Sequence, residues 1–451
     1  MNKQTNRLTQ TTLSRILQPF QEFIHLESAG GLLLLVCTIV ALLLANSSLR
    51  HYYIGFWQTE ISIGIEGALL KKSLFHWIND GLMCIFFFVV GLEIKRELLI
   101  GELASMKRAM LPMAAALGGM IIPAFIFYLF TAGTDTEAGW GIPMATDIAF
   151  SLGALTLLGS RIPHQLKVLL TAFAIVDDLG AVLIIALFYG SQIHWLFLAA
   201  ATFVFLILLC ANGGGIRHPL VYLVFGTLLW LMLLESGIHA TIAGVLLALT
   251  VPARPQIESK AFIEKLSSLL EWFKEENKTS QLNVFTQEQQ SVMHTIELSC
   301  QEAETPLQRF EHKFHPWVTF AIMPIFALAN AGVVLGGNFG SILSTPLALG
   351  ILCGLVVGKQ VGITLFAWIS VKVGLAELPS SVTWKHIYGI GLLGGIGFTM
   401  SLFIANLAFA DEHLLNISKT AVLTASLIAG CIGMLVLRVV SSDKQSNTNR
   451  I

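Results

Sequence analysis

The sequence predicts an all-α protein that crosses a membrane about twelve times. Three observations predict this class: an apolar composition, recurring apolar segments, and an alternating distribution of basic residues. Of the 451 residues, 55% are hydrophobic and only 12% are charged. Because a soluble domain carries roughly 25% charged residues, we expect most of this surface to face lipid. The net charge of −1 gives no indication of nucleic-acid binding.

Apolar segments of about 20 residues, the length that spans a bilayer, recur along the chain. The resulting organisation places helices one to eight at 27–252 and helices nine to twelve at 316–438, with cytoplasmic segments at 1–26, 253–315 and 439–451. Between helices one and two, residues 47–72 are expected to form an external loop with a hairpin. Within the polar insertion, Glu258–Lys274 is either an amphipathic surface helix or a solvated linker.

Basic residues support this helix count independently. Of the 27 Lys and Arg residues, 22 fall in segments placed inside and only four in segments placed outside. The four outside residues are Arg50, Lys71, Lys72 and Lys419. Because cytoplasmic loops are enriched in Lys and Arg, we expect a bacterial inner-membrane protein with both termini in the cytoplasm.

Two adjacent carboxylates, Asp177 and Asp178, occupy the middle of an otherwise uncharged apolar segment. An ionised side chain near the bilayer centre is costly and usually functional. Consecutive helical residues point about 100° apart, so each carboxylate is expected to face a different wall of a polar cavity. A purely structural aspartate pair is the alternative interpretation.

A third carboxylate, Asp147, follows Thr146 in the segment GWGIPMATDIAFSLG, which Gly and Pro residues interrupt. Proline removes a helical hydrogen bond, and opened backbone at membrane depth occurs where it lines protein or water. We therefore expect an unwound crossing at this point, with a simple proline kink as the alternative. A second interrupted span, Ile387–Phe409, contains five glycines, which weaken a helix.

Lys359 is the only basic residue placed deep in a span. A neighbouring carboxylate would stabilise its charge, and either Asp177 or Asp178 could supply it. If helices three to five and ten to twelve are repeats, the interrupted helices four and eleven occupy matching positions, which is typical of a transporter site at the midplane. Asp147 and Lys359 are suited to offset the helix dipoles that meet there.

Charged residues near the cytoplasmic ends of helices are less specific, because most such residues only mark the interface. Glu93, Arg96 and Glu97 lie at the cytoplasmic end of helix two. Glu311, His312 and His315 cluster before helix nine and are candidates for sensing cytoplasmic pH. A histidine titrates near neutral pH, although a lone histidine such as His239 is more often a packed residue.

Several motifs together resemble the NhaA family of sodium/proton antiporters. They are WIND, VVGLEIKREL, GWGIPMATDIAFSLG, AIVDDLGAVLIIALFY, SGIHATIAGV, FALANAGV, the GK pair at Lys359 and GGIGFTMSLFIA. The resemblance covers residues 27–440 apart from the polar insertion at about 255–306. This family is a standard example of inverted-topology repeats, so that topology follows from the resemblance rather than from the spacing.

The resemblance implies that Asp177 and Asp178 are the transport carboxylates, with Thr146 and Asp147 at the unwound crossing and Lys359 near Asp177. It implies export of Na⁺ or Li⁺ in exchange for more than one proton, without a cofactor. The residues that match positions linked to pH activation in the family are Glu93, Arg96, Glu97, Glu311 and His312, and with His239 they make six candidates for pH regulation. The external hairpin matches a homodimer contact.

Three other functions are consistent with parts of the pattern. A proton-coupled transporter of another solute would need a larger polar pocket. An intramembrane aspartyl protease would need carboxylates that converge from two helices, whereas Asp177 and Asp178 diverge on one helix. A channel or sensor would use the polar insertion as its output. The sequence favours a transporter and gives no indication of an enzyme.

Overall fold

The computed structural model describes residues 29–65, 68–190, 192–279, 285–334 and 339–448, which are almost entirely helical. The first half contains α1 (Ala29–Ala45), α2 (Arg50–Gln58), α3 (Leu74–His76), α4 (Met83–Ile100), α5 (Met106–Thr131), α6 (Ile148–Leu157), α7 (His164–Phe188), α8 (Trp195–Gly213), α9 (Pro219–Ser236) and α10 (Ile242–Thr250). The second half contains α11 (Ser259–Thr279), α12 (Gln287–Ala303), α13 (Pro306–Trp317), α14 (Met323–Asn330), α15 (Phe339–Leu343), α16 (Pro346–Cys353), α17 (Lys359–Lys372), α18 (Trp384–Gly394), α19 (Phe398–Ala408) and α20 (Glu412–Thr448).

Short stretches of other helical geometry join several of these elements. Residues Trp77–Leu82, Val318–Ile322 and Gly354–Gly358 form π-helical turns. The π-helical turns make continuous helical segments of α3 with α4, α13 with α14, and α16 with α17. A 3₁₀-helix at Glu137–Met144 leads towards α6.

Six helical segments in the described chain are long and apolar enough to cross a membrane. They are Met106–Thr131, His164–Phe188, Trp195–Gly213, Pro219–Ser236, Pro346–Lys372 and Glu412–Ser441. Two bent pairs, α1 with α2 and α18 with α19, raise the number to eight if each pair is one span. The protein is therefore a mostly helical membrane protein, as the sequence predicts.

An antiparallel hairpin lies in the loop that follows α1. Strand β1 (Glu60–Ile65) pairs with β2 (Ala68–Ser73), and Glu60 is opposite Ser73. The sequence analysis did not predict α2, which precedes the hairpin and is bent 113° from α1. This helix is short and mixed in polarity, and its Tyr53 hydroxyl donates a hydrogen bond to the carbonyl oxygen of Leu328.

The polar insertion contains the two antiparallel helices α11 and α12. Of the two alternatives for Glu258–Lys274, the helix is the one observed, because α11 covers Ser259–Thr279. Lys265 of α11 lies 3.1 Å from Glu302 of α12. A capping box at Thr286 begins α12 by satisfying the free N–H groups of its first turn.

The last helix, α20, is longer than the span expected from the sequence. It begins at Glu412 and continues to Thr448, beyond the predicted end near residue 438. Lys419, which the sequence analysis assigned to an outside segment, lies inside this helix and is 8% exposed. Its ammonium group is 5.6 Å from the centre of the Phe75 ring.

Helices α5 and α17 approach each other closely through Gly118 and Gly362. A Cβ atom at Gly362 would lie 2.1 Å from the carbonyl oxygen of Gly118, and a Cβ atom at Gly118 would lie 2.2 Å from the carbonyl oxygen of Gly362. Small residues commonly permit such approach between membrane helices. The contact fixes α17, which begins at Lys359, against α5.

We expect Gly362→Ala to destabilise the protein by about 1–3 kcal/mol, because the added methyl group forces the two backbones apart. Thermal unfolding in detergent measures this effect. Gly55→Ala is the matched control, since no atom lies within 4 Å of its added Cβ. Equal melting temperatures for the two variants would contradict the expectation.

Candidate ion-binding site

Two interrupted helices meet at the centre of the described structure. Residues 145–147 are extended between the 3₁₀-helix Glu137–Met144 and α6, and residues 395–397 separate α18 from α19. The axes of α18 and α19 differ by 44°. The two interruptions therefore expose helix ends of both segments at one place, which we call the junction.

Hydrogen bonds across the junction satisfy the carbonyl groups left free at the end of α18. The N–H of Asp147 donates to the carbonyl of Ile396 at 2.7 Å, and the Thr146 hydroxyl donates to that of Gly394 at 2.8 Å. The Ser151 hydroxyl donates to the carbonyl of Leu393 at 2.9 Å. In the opposite direction, the Ser401 hydroxyl donates to the carbonyl of Ile142 at 2.7 Å.

Asp147 accepts hydrogen bonds from the first turns of two helices. Its Oδ1 accepts the N–H of Phe150 in α6 at 3.0 Å, and its Oδ2 accepts the N–H of Thr399 in α19 at 3.1 Å. The Thr399 hydroxyl also donates to Oδ2. Helix N-termini carry partial positive charge, so one buried carboxylate offsets two of them. Thr399 was missed by the sequence analysis, although a hydroxyl residue directly after GGIGF was an available signal.

Asp177 and Lys359 form a fully buried ion pair between α7 and α17. The lysine Nζ donates to both carboxylate oxygens, at 2.8 and 2.7 Å. Neither side chain is exposed to solvent, and the Phe173 ring lies 5.6 Å from the ammonium group. Of the two aspartates that the sequence left as partners for Lys359, the structure therefore pairs Asp177.

Asp178 differs from its neighbour in having no such partner. The residue is 1% exposed, and its Oδ1 accepts no hydrogen bond from the residues that the structure describes. A buried polar atom without a hydrogen bond is costly. An unpaired carboxylate oxygen next to a neutralised carboxylate is chemically suited to accept a proton or a small hard cation.

A cavity of about 380 Å³ opens beside the first half of α7. Glu97, Glu102, His164, Lys167 and Thr171 are among the residues that line it. Residue 171 lies seven positions, or about two helical turns, before Asp178, so the two share one face of α7. The cavity therefore opens at the end of the helix face that carries Asp178.

A separate group of charges joins α4 to α13. Arg96 lies 3.3 Å from Glu311, and His315 lies 3.4 Å from Glu93. Arg96 also lies 3.3 Å from Glu97. The hydrogen bond with Glu93 raises the pKa of His315, and burial raises the pKa of the Glu311 carboxyl while Arg96 opposes that shift.

Two candidates for pH regulation lie outside this group. His312 points to Glu304, which is 3.3 Å away. His239 lies 4.0 Å from Asp80. Asp80 precedes Glu93 by thirteen positions along the α3–α4 segment. The Nδ1 atom of His239 is 2.8 Å from the Thr241 hydroxyl. The structure thus brings together four of the six candidates and separates these two.

This helical membrane protein has a paired and an unpaired carboxylate beside the junction of two interrupted helices. These are the features of an ion-coupled transporter. The family model described as Na⁺/H⁺ antiporter 1 matches residues 21–437. The chain therefore belongs to the Na⁺/H⁺ antiporter 1 family.

Relatives agree with this assignment over nearly their whole length. The chain is 48% identical to the Na(+)/H(+) antiporter NhaA of Oleidesulfovibrio alaskensis, and the match covers 96% of each chain. It is 47% identical to the Na(+)/H(+) antiporter NhaA 2 of Syntrophotalea carbinolica, over 95% of this chain and 98% of the relative. A third relative, from Koribacter versatilis, is 48% identical over 94% of this chain and 91% of its own.

We expect Lys359→Met to destabilise the protein by about 3–5 kcal/mol, because it leaves the Asp177 carboxylate buried without its counter-charge. The double variant Asp177→Asn with Lys359→Met removes both charges and should recover much of that loss. Melting temperatures of the two variants in detergent measure the difference. Lys71→Met, which breaks an exposed pair with Glu60, is the control and should change stability by less than about 1 kcal/mol. A double variant no more stable than Lys359→Met would contradict the pairing.

Proposed function

We propose that this protein is an electrogenic antiporter that exports cytoplasmic Na⁺ or Li⁺ in exchange for external protons by alternating access. The observation that carries the proposal is the buried Asp178 carboxylate, whose Oδ1 has no partner in the described chain. Membership of the Na⁺/H⁺ antiporter 1 family supports the choice of ions. The family consists of transporters, and we assign no catalytic residue and no cofactor.

Asp178 is the position where a proton and Na⁺ compete. Carboxylate oxygens suit hard cations, and occupation by one ion excludes the other, so no separate coupling device is needed. Asp177 contributes the second carboxylate when its pair with Lys359 opens, and proton release from Lys359 at that step would make the exchange electrogenic. Thr146 and Asp147 hold the junction beside the site.

Alternating access requires that the site open to one side at a time. The cavity lined by Glu97 and Glu102 supplies the cytoplasmic opening, because it lies on the Asp178 face of α7. Movement of the junction against α4 and α14 then exposes Asp178 to the opposite side.

Twelve spans with inverted repeats account for the helix order. The segment from α5 to α7 and the segment from α16 to α20 each contain an interrupted helix between two continuous ones. Paired interrupted helices at a midplane site are typical of inverted-repeat transporters. With the basic residues inside, this topology places both termini in the cytoplasm and the hairpin outside the inner membrane, where it contacts a second protomer.

We expect Asp178→Asn to abolish exchange while leaving the fold intact, because an amide neither ionises nor replaces the negative charge that Na⁺ requires. In everted membrane vesicles with an acid interior, added NaCl or LiCl should dissipate the pH gradient for the wild type, and KCl should not. A ΔpH-sensitive dye measures this response.

Asp135→Asn is the matched control, because Asp135 is exposed in the loop after α5 and its substitution should preserve exchange. Sodium-dependent proton flux from folded Asp178→Asn would contradict the assignment of this residue. A wild type that responds to an organic solute instead of Na⁺ would favour a proton-coupled transporter of that solute.

The charges between α4 and α13 provide a basis for pH regulation. His315 is faced by Glu93, Glu311 and Arg96. Because its pKa is raised, the ion pair with Glu93 is complete below the ordinary histidine pKa of 6.5 and is lost as the pH rises through the raised value. Alkaline pH therefore removes one of the ion pairs between α13 and α4 while that of Arg96 with Glu311 remains, and we propose that this loss activates exchange.

We expect His315→Gln to lower the pH of half-maximal exchange by about half a unit or more, since the variant lacks the charge that holds the inactive state. Vesicle exchange measured from pH 6 to 9 gives the profile. His294→Gln is the control, because His294 is exposed on α12 and, among the described residues, forms its ion pair with Glu297 of the same helix. An unchanged profile for His315→Gln would rule out this mechanism of activation.

A further inference from the structure

A cluster of aromatic rings lies on the side of the junction that faces the hairpin. Its centre is Phe403 of α19, which is 0% exposed. The Phe403 ring lies 5.7 Å from that of Phe87 in α4 and 6.3 Å from that of Phe326 in α14. The His239 imidazole, from the loop after α9, packs edge-on at 5.5 Å. Rings from three other parts of the chain therefore converge on one side chain.

The junction lies immediately on one side of this cluster. Thr399 precedes Phe403 by four residues, which is one turn and about 6 Å along α19. Thr399 donates two hydrogen bonds to Asp147 at the junction. The aromatic centre is therefore about one helical turn away from the carboxylate at the junction.

Groups that water reaches lie on the other side. The His239 ring lies 4.0 Å from Asp80, and Lys72 of the hairpin lies 3.1 Å from the same carboxylate. The side chains of Lys72 and Asp80 are 31% and 19% exposed. Ions that arrive from the hairpin side therefore meet Asp80 before they meet Phe403.

Further polar groups occur beyond Phe403 on α19 itself. Three residues later, the Asn406 amide donates to the Oδ1 of Asn330 at 2.7 Å. The helix ends two residues after that, and the chain reaches the exposed Asp411. Along α19, the apolar residues 402–405, about one turn of helix, thus separate the Asp147 end from the polar end.

We propose that Phe403 is the outer gate of the transport pathway, closing the ion-binding site to the external side when the cavity beside α7 is open. A constriction formed by the rings of Phe403, Phe87 and Phe326 stops hydrated ions and protons, because phenylalanine rings do not replace their hydration. The proposal rests on the proposed function, which supplies the transported ions and places the hairpin outside.

Phe403 is a better gate than its neighbours because of the helix that carries it. It shares the short helix α19 with Thr399, so a shift of the junction moves the ring directly. Phe87 and Phe326 belong to α4 and α14, which lie across from α19 and form the wall against which the ring closes. One displacement of α19 therefore alters the ion-binding site and the gate together.

The test is a proton-leak measurement on purified protein in liposomes without Na⁺ or Li⁺. For the wild type, an imposed pH gradient should decay at the rate of a closed carrier. For Phe403→Ala it should decay about tenfold faster, equivalent to a barrier lower by about 1.4 kcal/mol. Phe403→Leu, which keeps most of the volume, should leak by a smaller factor, and Phe403→Tyr should remain closed.

Phe398→Ala is the matched control. Phe398 is a buried phenylalanine of the same helix, and its ring packs on Phe150 rather than in the cluster. A merely structural role for Phe403 predicts that the Phe398 and Phe403 variants lose stability without leaking. Melting temperature and yield, measured on the same preparations, separate a leak from unfolding.

A second readout locates the opening. In protein whose six native cysteines are replaced, Thr399→Cys should resist a membrane-impermeant thiol reagent added outside. Adding Phe403→Ala should make it react. The proposed gate is overturned if both Phe403→Ala and Phe403→Leu keep the pH gradient as the wild type does and leave the thiol unreactive. If Phe403→Ala does not fold, the leak and the thiol reactivity of Phe403→Leu decide the question. If wild-type protein shows no Na⁺-dependent exchange in the same liposomes, the proposed function fails instead.

Discussion

The arrangement of this protein depends on one constraint: backbone and charged groups removed from water must find partners inside the protein. Interrupting two helices at one place leaves carbonyls at the end of α18 and N–H groups at the starts of α6 and α19. The Thr146 and Ser151 hydroxyls donate to the carbonyls at the end of α18, and the Ser401 hydroxyl of α19 donates to a carbonyl of the 3₁₀-helix. Asp147 then offsets two helix N-termini with one carboxylate. Each interruption is therefore tolerated because the other is present, and the result is a polar centre inside an apolar protein.

The same constraint divides the roles of two adjacent aspartates. Helical geometry turns Asp177 and Asp178 about 100° apart, so a single lysine from α17 neutralises only one of them. Asp177 takes that lysine, and the close approach of Gly118 and Gly362 sets α17 where Lys359 reaches it. Asp178 keeps an unsatisfied oxygen in the same setting. An exchange site needs this asymmetry, because a fully paired carboxylate has no capacity for Na⁺ and an isolated pair of carboxylates would repel each other.

The charged centre was accessible from sequence because an aspartate or lysine in a long apolar segment stands out at once. Asp147, Asp177, Asp178 and Lys359 were all found by that signal. Their pairing did not follow from that signal, since helix spacing does not say which wall each side chain faces, and only the family resemblance placed Lys359 near Asp177. Thr399 was missed because a threonine is ordinary in a membrane helix, although its position directly after the glycine-rich interruption was a signal. Likewise, Glu311 and His312 are neighbours in sequence, but one turns towards α4 and the other towards Glu304.

The position of Phe403 links the ion-binding site to access from outside. A carrier must prevent both sides from reaching the site at once, and two independent gates would need a separate means of coordination. Here α19 carries the Thr399 contacts to Asp147 and, one turn later, the ring that closes on Phe87 and Phe326. Any rearrangement at the junction that displaces the first turn of α19 must therefore displace the ring as well. Because α19 carries both the junction contacts and the ring, a displacement of its first turn moves the two together, and this is the coupling that strict exchange requires.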